Sequence, residues 1–283
     1  MTHPPGHPPM SFGPIVSPEW LREHLDNAGI RVVDFRWYLL GGKGRDAYDR
    51  GHIPGAVFVD LEAVTGRAGG GRHPLPTGAQ FEEEMRKAGI SADTRVVAYD
   101  DAGGSIASRL WFLLRWFGHE SQAVLDGGLG AWGPPLSTEV PAVGPGTFRS
   151  SEPDRSRILD FDGVRKLAGV ALLDARADER YRGEKEPVDP KAGHIPGAVS
   201  APWAENLGPD GRFKSPDELR ARYAALGAAA EEGAVVYCGS GVNATHDLLA
   251  MELAGLKNGR LYAGSWSDWS SRDAPIATGK EPR

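Results

Sequence analysis

The chain alternates short apolar runs with amphipathic stretches, and this alternation occurs in both halves. Valine-rich runs over residues 31–35 and 95–99 predict buried strands. Helical spacing of apolar residues predicts helices over 18–28 and 81–88, and the aromatic run 111–117 predicts a helix inside a core. Because strands that alternate with helices form parallel sheets, the pattern indicates an α/β fold in which helices flank both faces of each sheet.

The second half of the chain repeats this order of elements. Its clearest helix start is Ser215, followed by Pro216 in the first turn and by Glu218, the residue that completes a capping box. The heptapeptide Gly-His-Ile-Pro-Gly-Ala-Val over residues 51–57 returns unchanged over residues 193–199, about 140 residues later. A period of this length is too long for a solenoid and predicts two copies of one domain.

Paired charges also recur at corresponding positions. Asp34 and Arg36 end one predicted strand, and Asp174 and Arg176 end its counterpart in the second half. We expect each pair to be a buried ion pair that belongs to the scaffold. The histidine of the repeated heptapeptide occurs in both halves, so we also expect it to be structural, with its ring bonded to backbone at a tight turn.

Length and composition fit two globular domains. The chain has 283 residues, 40% of them hydrophobic and 25% charged, so each half is long enough to bury its own core. The predicted organisation is a disordered tail at residues 1–13, a first domain at 14–140, a linker at 141–157 and a second domain at 158–283.

Charge and motif content exclude several classes of function. The net charge of −6 argues against a nucleic acid partner, and no apolar run is long enough to cross a bilayer. A single cysteine excludes an internal disulfide and a multi-cysteine metal site, and the sequence contains no nucleotide, flavin or metal motif. We therefore expect a cytoplasmic monomer that needs neither cofactor nor metal.

Cys238 is the candidate nucleophile. It closes an apolar run and opens a loop of small residues, 239–243, that leads into a predicted helix. A strand that turns into a helix aims several backbone N–H groups at one point, where they and the helix N-terminus stabilise a thiolate or persulfide. A buried cysteine that acts as a small hydrophobe is the alternative, and the loop favours the reactive thiol. The first half has Asp100 at the corresponding position.

Taken together, these features resemble the two-domain rhodanese-type sulfurtransferases. The resemblance covers roughly residues 14–283 and rests on the duplicated heptapeptide, the Asp-x-Arg strand ends and the Cys238 loop. It implies two tandem rhodanese-like domains, of which the second is catalytic and the first lacks the cysteine. It also implies that Cys238 takes a sulfane sulfur from a donor as a persulfide. A thiol, cyanide or a thioredoxin-like protein then accepts the sulfur.

The residues after the cysteine indicate the donor. In the family the thiosulfate type usually carries two cations there and the mercaptopyruvate type carries Gly-Ser-Gly, which is the sequence of residues 239–241. A dianion such as thiosulfate costs desolvation in a loop without nearby cations, whereas one arginine can hold a single carboxylate. The alternatives are thiosulfate as the main donor, and a non-catalytic module that carries a persulfide for a partner.

The resemblance further implies a proton relay of serine, histidine and an acid. Ser240 matches the serine and His73 matches the histidine, a residue type whose pKa suits proton transfer. Asp60 and Glu62 both match the acid, and the sequence leaves the choice between them open.

Arg180 matches a substrate-binding arginine of the mercaptopyruvate enzymes. These often carry a second arginine about ten residues later, but residues 186–190 contain none. Asn243 stands where the family usually has Thr or Ser, and we expect its amide to donate within the loop. The implied substrate-binding residues are Arg180, Gly239, Ser240, Gly241, Val242 and Asn243.

Overall fold

The computed structural model describes residues 12–228, 231 and 233–281, so residues 1–11 of the predicted tail lie outside the described part. The first sheet contains β1 Ile15–Val16, β2 Ile30–Asp34, β3 Val57–Phe58, β4 Arg95–Tyr99 and β5 Gln122–Leu125. The second sheet contains β6 Ile158–Leu159, β7 Ala171–Asp174, β8 Ala198–Ser200, β9 Ala234–Tyr237 and β10 Arg260–Tyr262.

Nine α-helices connect these strands within the described residues. The helices of the first half are α1 Pro18–His24, α2 Gly44–Arg50, α3 Gly78–Lys87 and α4 Ala107–Trp116. Those of the second half are α5 Phe161–Arg165, α6 Asp178–Tyr181, α7 Pro216–Ala225, α8 Ala244–Leu253 and α9 Ser265–Trp269. Short 3₁₀ turns occupy Glu62–Val64, Gly128–Ala131, Arg155–Arg157 and Trp203–Asn206.

Both sheets have the same topology. Their strand orders are β1-β5-β4-β2-β3 and β6-β10-β9-β7-β8, and every pairing is parallel. The central strands are buried along nearly their whole length, as expected when helices cover both faces. The predicted α/β fold with two equivalent domains is therefore confirmed.

Several element boundaries differ from the predictions. Helix α1 ends at His24 instead of residue 28, because the chain turns there and the Asn27 N–H donates to the His24 carbonyl. Helix α3 begins three residues before the predicted start, because the hydroxyl of Thr77 caps it. The capping box at Ser215 is confirmed, with bonds to Glu218 in both directions.

The repeated heptapeptide has the same structural role in both domains. The ring of His52 stacks on Tyr48, and its Nδ1 lies 2.9 Å from the Tyr48 carbonyl. The ring of His194 stacks on Tyr181 in the same way, with Nδ1 at 2.8 Å from that carbonyl. The prediction that these histidines bond to backbone is confirmed.

The scaffold ion pairs are also confirmed. Asp34 pairs with Arg36 at 2.5 Å, and Asp174 pairs with Arg176 at 2.6 Å, in both cases with both side chains buried. Each arginine also donates to a backbone carbonyl of the repeated heptapeptide, Gly51 or Gly193.

The two domains pack against each other through helices α4 and α8. One apolar cluster contains side chains from both domains, and the Ser108 and Thr245 hydroxyls lie 3.0 Å apart between the two helices. The predicted linker packs along the first domain, where Phe148 is buried and contacts Phe81 edge to face. Among the described residues, no helix combines the length and apolar character that a membrane span requires.

Candidate active site

Cys238 follows the carboxyl end of β9 and lies at the centre of a tight loop that leads into α8. Its side chain is buried, and the Gly241 N–H donates to Sγ at 3.2 Å. Gly241 has a φ of +80°, and a β-carbon there would lie 2.5 Å from the Ala263 carbonyl oxygen, so only glycine fits. The loop therefore directs a backbone donor at the sulfur, as a reactive thiolate requires.

His73 and Glu62, which match the histidine and one of the two acids of the expected relay, lie next to this loop although they belong to the first domain. His73 Nδ1 lies 2.7 Å from Ser240 Oγ, and both residues are buried. His73 Nε2 lies 3.5 Å from Glu62 Oε1, and Glu62 also accepts a hydrogen bond from the Trp37 indole at 3.0 Å. The sequence had left the acid open, and the structure brings Glu62 to the histidine.

Asp60 has a different role. Its Oδ1 accepts the Glu62 backbone N–H at 3.0 Å, a local side-chain-to-backbone bond two residues along the chain. Asp60 thus supports the position of Glu62, and no hydrogen bond or ion pair joins it to His73 among the described residues.

Burial keeps the His73 imidazole neutral. Burial lowers the pKa of His73 to about 4, and the nearby charges of Arg109 and Arg72 act in the same direction. With Nε2 facing the Glu62 carboxylate, the neutral tautomer carries its proton on Nε2. Nδ1 is then the acceptor for the Ser240 hydroxyl.

Arg109 is a site residue that the sequence analysis missed. It is buried on α4 of the first domain and donates to the Gly241 carbonyl at 3.1 Å and to the His73 carbonyl at 3.0 Å. Burial lowers the pKa of Arg109 to about 10, an effect that the negative charge of Cys238 opposes. An arginine inside an otherwise apolar helical segment was the available signal, because such a charge needs a buried partner.

Arg180 lies at the wall of the cavity that contains Cys238, and it is ion-paired there. Its guanidinium contacts Glu186 at 2.6 Å and Asp189 at 3.2 Å, and Asp189 also pairs with Arg72 of the first domain. A β-carbon placed on Gly239 would lie 3.0 Å from Arg72 and 3.5 Å from Arg180. The sequence argument that this loop has no cation nearby was therefore wrong.

The remaining loop residues line the same cavity, whose volume is about 270 Å³. Val242 and Asn243 lie on its wall together with Cys238 and Ser240. Asn243 precedes α8 without a side-chain capping bond, so the expected donation by its amide is not found among the described hydrogen bonds. The described residues contain no cluster of side chains suited to a metal ion.

Comparison with known proteins identifies the family of both domains. The model of the rhodanese-like domain matches residues 17–134 and again residues 162–272. A probable 3-mercaptopyruvate sulfurtransferase of Pseudomonas aeruginosa is 43% identical over 285 residues, which cover 95% of this chain and 100% of the relative. A putative thiosulfate sulfurtransferase of Mycobacterium tuberculosis is 41% identical over 251 residues, covering 86% of this chain and 88% of the relative.

Solved structures show the same likeness. The crystal structure of a 3-mercaptopyruvate sulfotransferase from Escherichia coli superposes with a TM-score of 0.80 at 32% identity, covering 90% of this chain and 99% of that one. Sequence and structure thus agree over both domains. The chain belongs to the family of rhodanese-like domain proteins and is a two-domain sulfurtransferase.

Proposed function

We propose that this chain uses 3-mercaptopyruvate as its main sulfur donor and carries the sulfur as a persulfide on Cys238. The observation that carries the proposal is the hydrogen bond between Ser240 and His73 beside the thiol, with the Glu62 carboxylate 3.5 Å from the other ring nitrogen of His73. Cleavage of a carbon–sulfur bond leaves a carbanion that must be protonated, and such a relay supplies the proton. Thiosulfate cleavage releases sulfite and creates no carbanion, so it has less need of these residues.

The proposed reaction balances with the groups at hand. The Cys238 thiolate attacks the donor sulfur and forms the S–S bond. The electron pair of the broken C–S bond moves to the donor carbon as the enolate of pyruvate. Ser240 and the neutral His73 carry the proton of the donor thiol to that carbon, and Glu62 stabilises the imidazolium formed in transit. Pyruvate then leaves, and the persulfide remains on Cys238.

The second half of the cycle returns the enzyme to its thiolate. An acceptor thiol or cyanide attacks the outer sulfur, forms its own bond to that sulfur, and leaves the electron pair of the S–S bond on Cys238. A thioredoxin-like protein is the proposed protein acceptor. The proposal further places the chain in the cytoplasm, because a reactive thiol remains reduced there. It also takes the active protein to be a monomer.

Thiosulfate remains the second candidate donor, and one observation favours it. Arg72 and Arg180 bring positive charge to Gly239, next to the nucleophile, where a sulfonate would bind. Both arginines are already paired with Asp189, which reduces their net attraction for a dianion.

Donor-specific kinetics of His73→Asn test the proposal. We expect kcat with mercaptopyruvate to fall about 10²- to 10⁴-fold, and turnover with thiosulfate to fall less than about tenfold. Pyruvate release, sulfite release and the one-sulfur mass gain on Cys238 are the readouts. His24→Asn is the matched control, because His24 lies on α1 and bonds the Trp20 carbonyl.

Two results would contradict the proposal. Equal losses with both donors would remove His73 from carbanion protonation. A wild-type protein that accepts a persulfide from a partner, but releases no pyruvate from mercaptopyruvate, would instead be the carrier module.

A further inference from the structure

Trp37 lies on the wall of the cavity that contains Cys238, close to both first-domain residues of the relay. Its indole N–H donates to Glu62 Oε1 at 3.0 Å. Its ring meets the His73 imidazole edge to face, with the ring centres 5.0 Å apart. One tryptophan therefore contacts the histidine and the carboxylate at the same time.

The Glu62 side chain needs such a contact to stay near the histidine. It is 58% exposed, whereas the His73 side chain is 5% exposed. Its carboxylate lies 3.5 Å from His73 Nε2, which is longer than an ordinary hydrogen bond. Ordering an exposed glutamate costs side-chain entropy, and a single charged contact at the surface offsets little of that cost. Without a second contact, we expect the carboxylate to turn towards water for much of the time.

The Trp37 indole supplies this second contact. The same oxygen of Glu62, Oε1, faces both Trp37 Nε1 and His73 Nε2. Within the described part of the chain, the bond from Trp37 is the only hydrogen bond that the Glu62 side chain makes. An indole N–H donates and does not accept, so Trp37 holds the carboxylate without competing with the imidazole for a proton.

The backbone on both sides of Trp37 is itself held in place. Arg36 forms the buried ion pair with Asp34, and the Tyr38 hydroxyl donates to Asp101 at 2.6 Å. The Trp37 side chain packs against the apolar cluster that both domains share. A donor on such a rigid support restricts its acceptor to a narrow range of positions.

We propose that Trp37 is a positioning residue that keeps the Glu62 carboxylate at His73 through its indole N–H. This inference rests on the proposed function, because it makes Trp37 the support of the residues that protonate the donor carbon. The ring contact also restricts rotation of the imidazole, so that Nδ1 stays directed at Ser240. Proton transfer depends on such alignment.

Trp37→Phe tests the indole N–H, because it removes that donor and keeps an aromatic ring beside His73. We expect kcat with mercaptopyruvate to fall about 3- to 5-fold, with KM and the turnover of thiosulfate each changed less than about twofold. Trp116→Phe is the matched control, because Trp116 belongs to the same domain and donates its indole N–H to the Asp154 carbonyl, also at 3.0 Å. Its kcat per folded molecule is expected to stay at the wild-type value.

A double-mutant cycle with Glu62→Ala shows whether Trp37 acts through the carboxylate. If it does, Trp37→Phe loses its effect once the carboxylate is absent, and the double variant has the kcat of Glu62→Ala within about twofold. An equal loss in both backgrounds would mean that Trp37 only shapes the cavity, and it would overturn the inference.

The tautomer of His73 gives a readout that does not depend on turnover. Nitrogen-15 NMR of the imidazole reports which ring nitrogen carries the proton, and His73→Asn assigns the signal. In the wild type we expect the proton on Nε2, which faces Glu62. In Trp37→Phe we expect a larger share of the tautomer that carries its proton on Nδ1, whereas Trp116→Phe should keep the wild-type ratio.

The outcomes separate this inference from the proposed function. A wild-type protein that releases no pyruvate from mercaptopyruvate, while Trp37→Phe shifts the tautomer, would contradict the proposed donor and support the role of Trp37. A wild-type protein that turns over mercaptopyruvate, with Trp37→Phe at the wild-type kcat and tautomer ratio, would support the donor and overturn the inference.

Discussion

The loop after β4 and the loop after β9 follow equivalent strands of the two domains, but the first begins with Asp100 and the second with Cys238. In the first domain Asp100 takes the place of the cysteine. Its carboxylate accepts four backbone N–H groups at 2.7–2.9 Å, from residues 102, 104, 106 and 107. In the second domain the Gly241 N–H donates to Cys238 Sγ. The backbone donors of the first loop are thus taken up by its own carboxyl group, whereas a donor of the second loop points at the sulfur of Cys238.

The two loops also face different partners across the domain interface. Residues 71–73 read Gly-Arg-His and face the Cys238 loop, whereas residues 211–213 read Gly-Arg-Phe and face the Asp100 loop. His73 bonds Ser240, while the Phe213 ring lies 3.8 Å from a β-carbon placed on Gly104. The two copies of the domain therefore differ at two matched positions. Both the residue at the loop start and the residue facing the loop changed.

The largest expected effect on kcat comes from replacing the first residue of each loop by serine. Cys238→Ser removes the proposed nucleophile and is expected to lower kcat by about 10⁴-fold or more. Asp100→Ser, the same replacement in the other loop, is expected to keep kcat within about tenfold per folded molecule. Pyruvate release, normalised to the folded fraction from circular dichroism, measures both. A folded Asp100→Ser as inactive as Cys238→Ser would break the comparison.

Asp100 is expected to matter for stability. Asp100→Ala leaves four backbone N–H groups without an acceptor and should lower the free energy of unfolding by about 4 kcal/mol. Burial raises the pKa of the Asp100 carboxyl, although the four N–H donors oppose that rise. Urea denaturation of wild type and variant gives the difference. A loss below about 1 kcal/mol would mean that water replaces the carboxylate.

The histidine that faces the catalytic loop makes stability depend on pH. Burial lowers the pKa of His73 from 6.5 to about 4, so between these values the unfolded chain binds a proton that the folded chain does not. Acid therefore favours unfolding, and His73 contributes a loss of up to about 3 kcal/mol as pH falls from 6.5 to 4. Urea denaturation at several pH values should show a smaller decline in His73→Asn. An unchanged slope would contradict the neutral imidazole.

The smallest expected effect distinguishes the two carboxylates near His73. Glu62→Gln removes the charge that faces Nε2 and should lower kcat with mercaptopyruvate about tenfold. Asp60→Asn alters only the acceptor of the Glu62 backbone N–H and should change kcat about twofold. Steady-state pyruvate release measures both. The reverse ranking would assign the relay to Asp60.

Part of the site could be predicted because the residues that indicate it follow one another in the sequence. The strand, the small-residue loop and the helix around Cys238 are consecutive, and their geometry follows from glycine and helix-start chemistry. His73 and Ser240 came from the family resemblance, and the structure places them 2.7 Å apart. The end of α1 was harder to predict, because its helical spacing continues beyond the turn at His24.

Arg180 was named from the family resemblance, but the other cations of the site, Arg72 and Arg109, could not be predicted in the same way. Arg72, Arg109 and Arg180 are distant in sequence, and their placement depends on how the two domains pack. The loop itself contains no cation, and the guanidinium groups near Gly239 come from outside it.

The amino-acid sequence by itself determined the duplication, the α/β class and the candidate nucleophile, since periodicity, caps and an exact repeat are encoded over short stretches. Only the tertiary structure decided that Glu62 faces His73 and that the Asp100 carboxyl group accepts the N–H groups of its own loop. It also decided that Asp189 forms ion pairs with both Arg72 and Arg180. These contacts depend on side-chain directions and on the packing of α4 against α8. A linear pattern of residues does not carry that information.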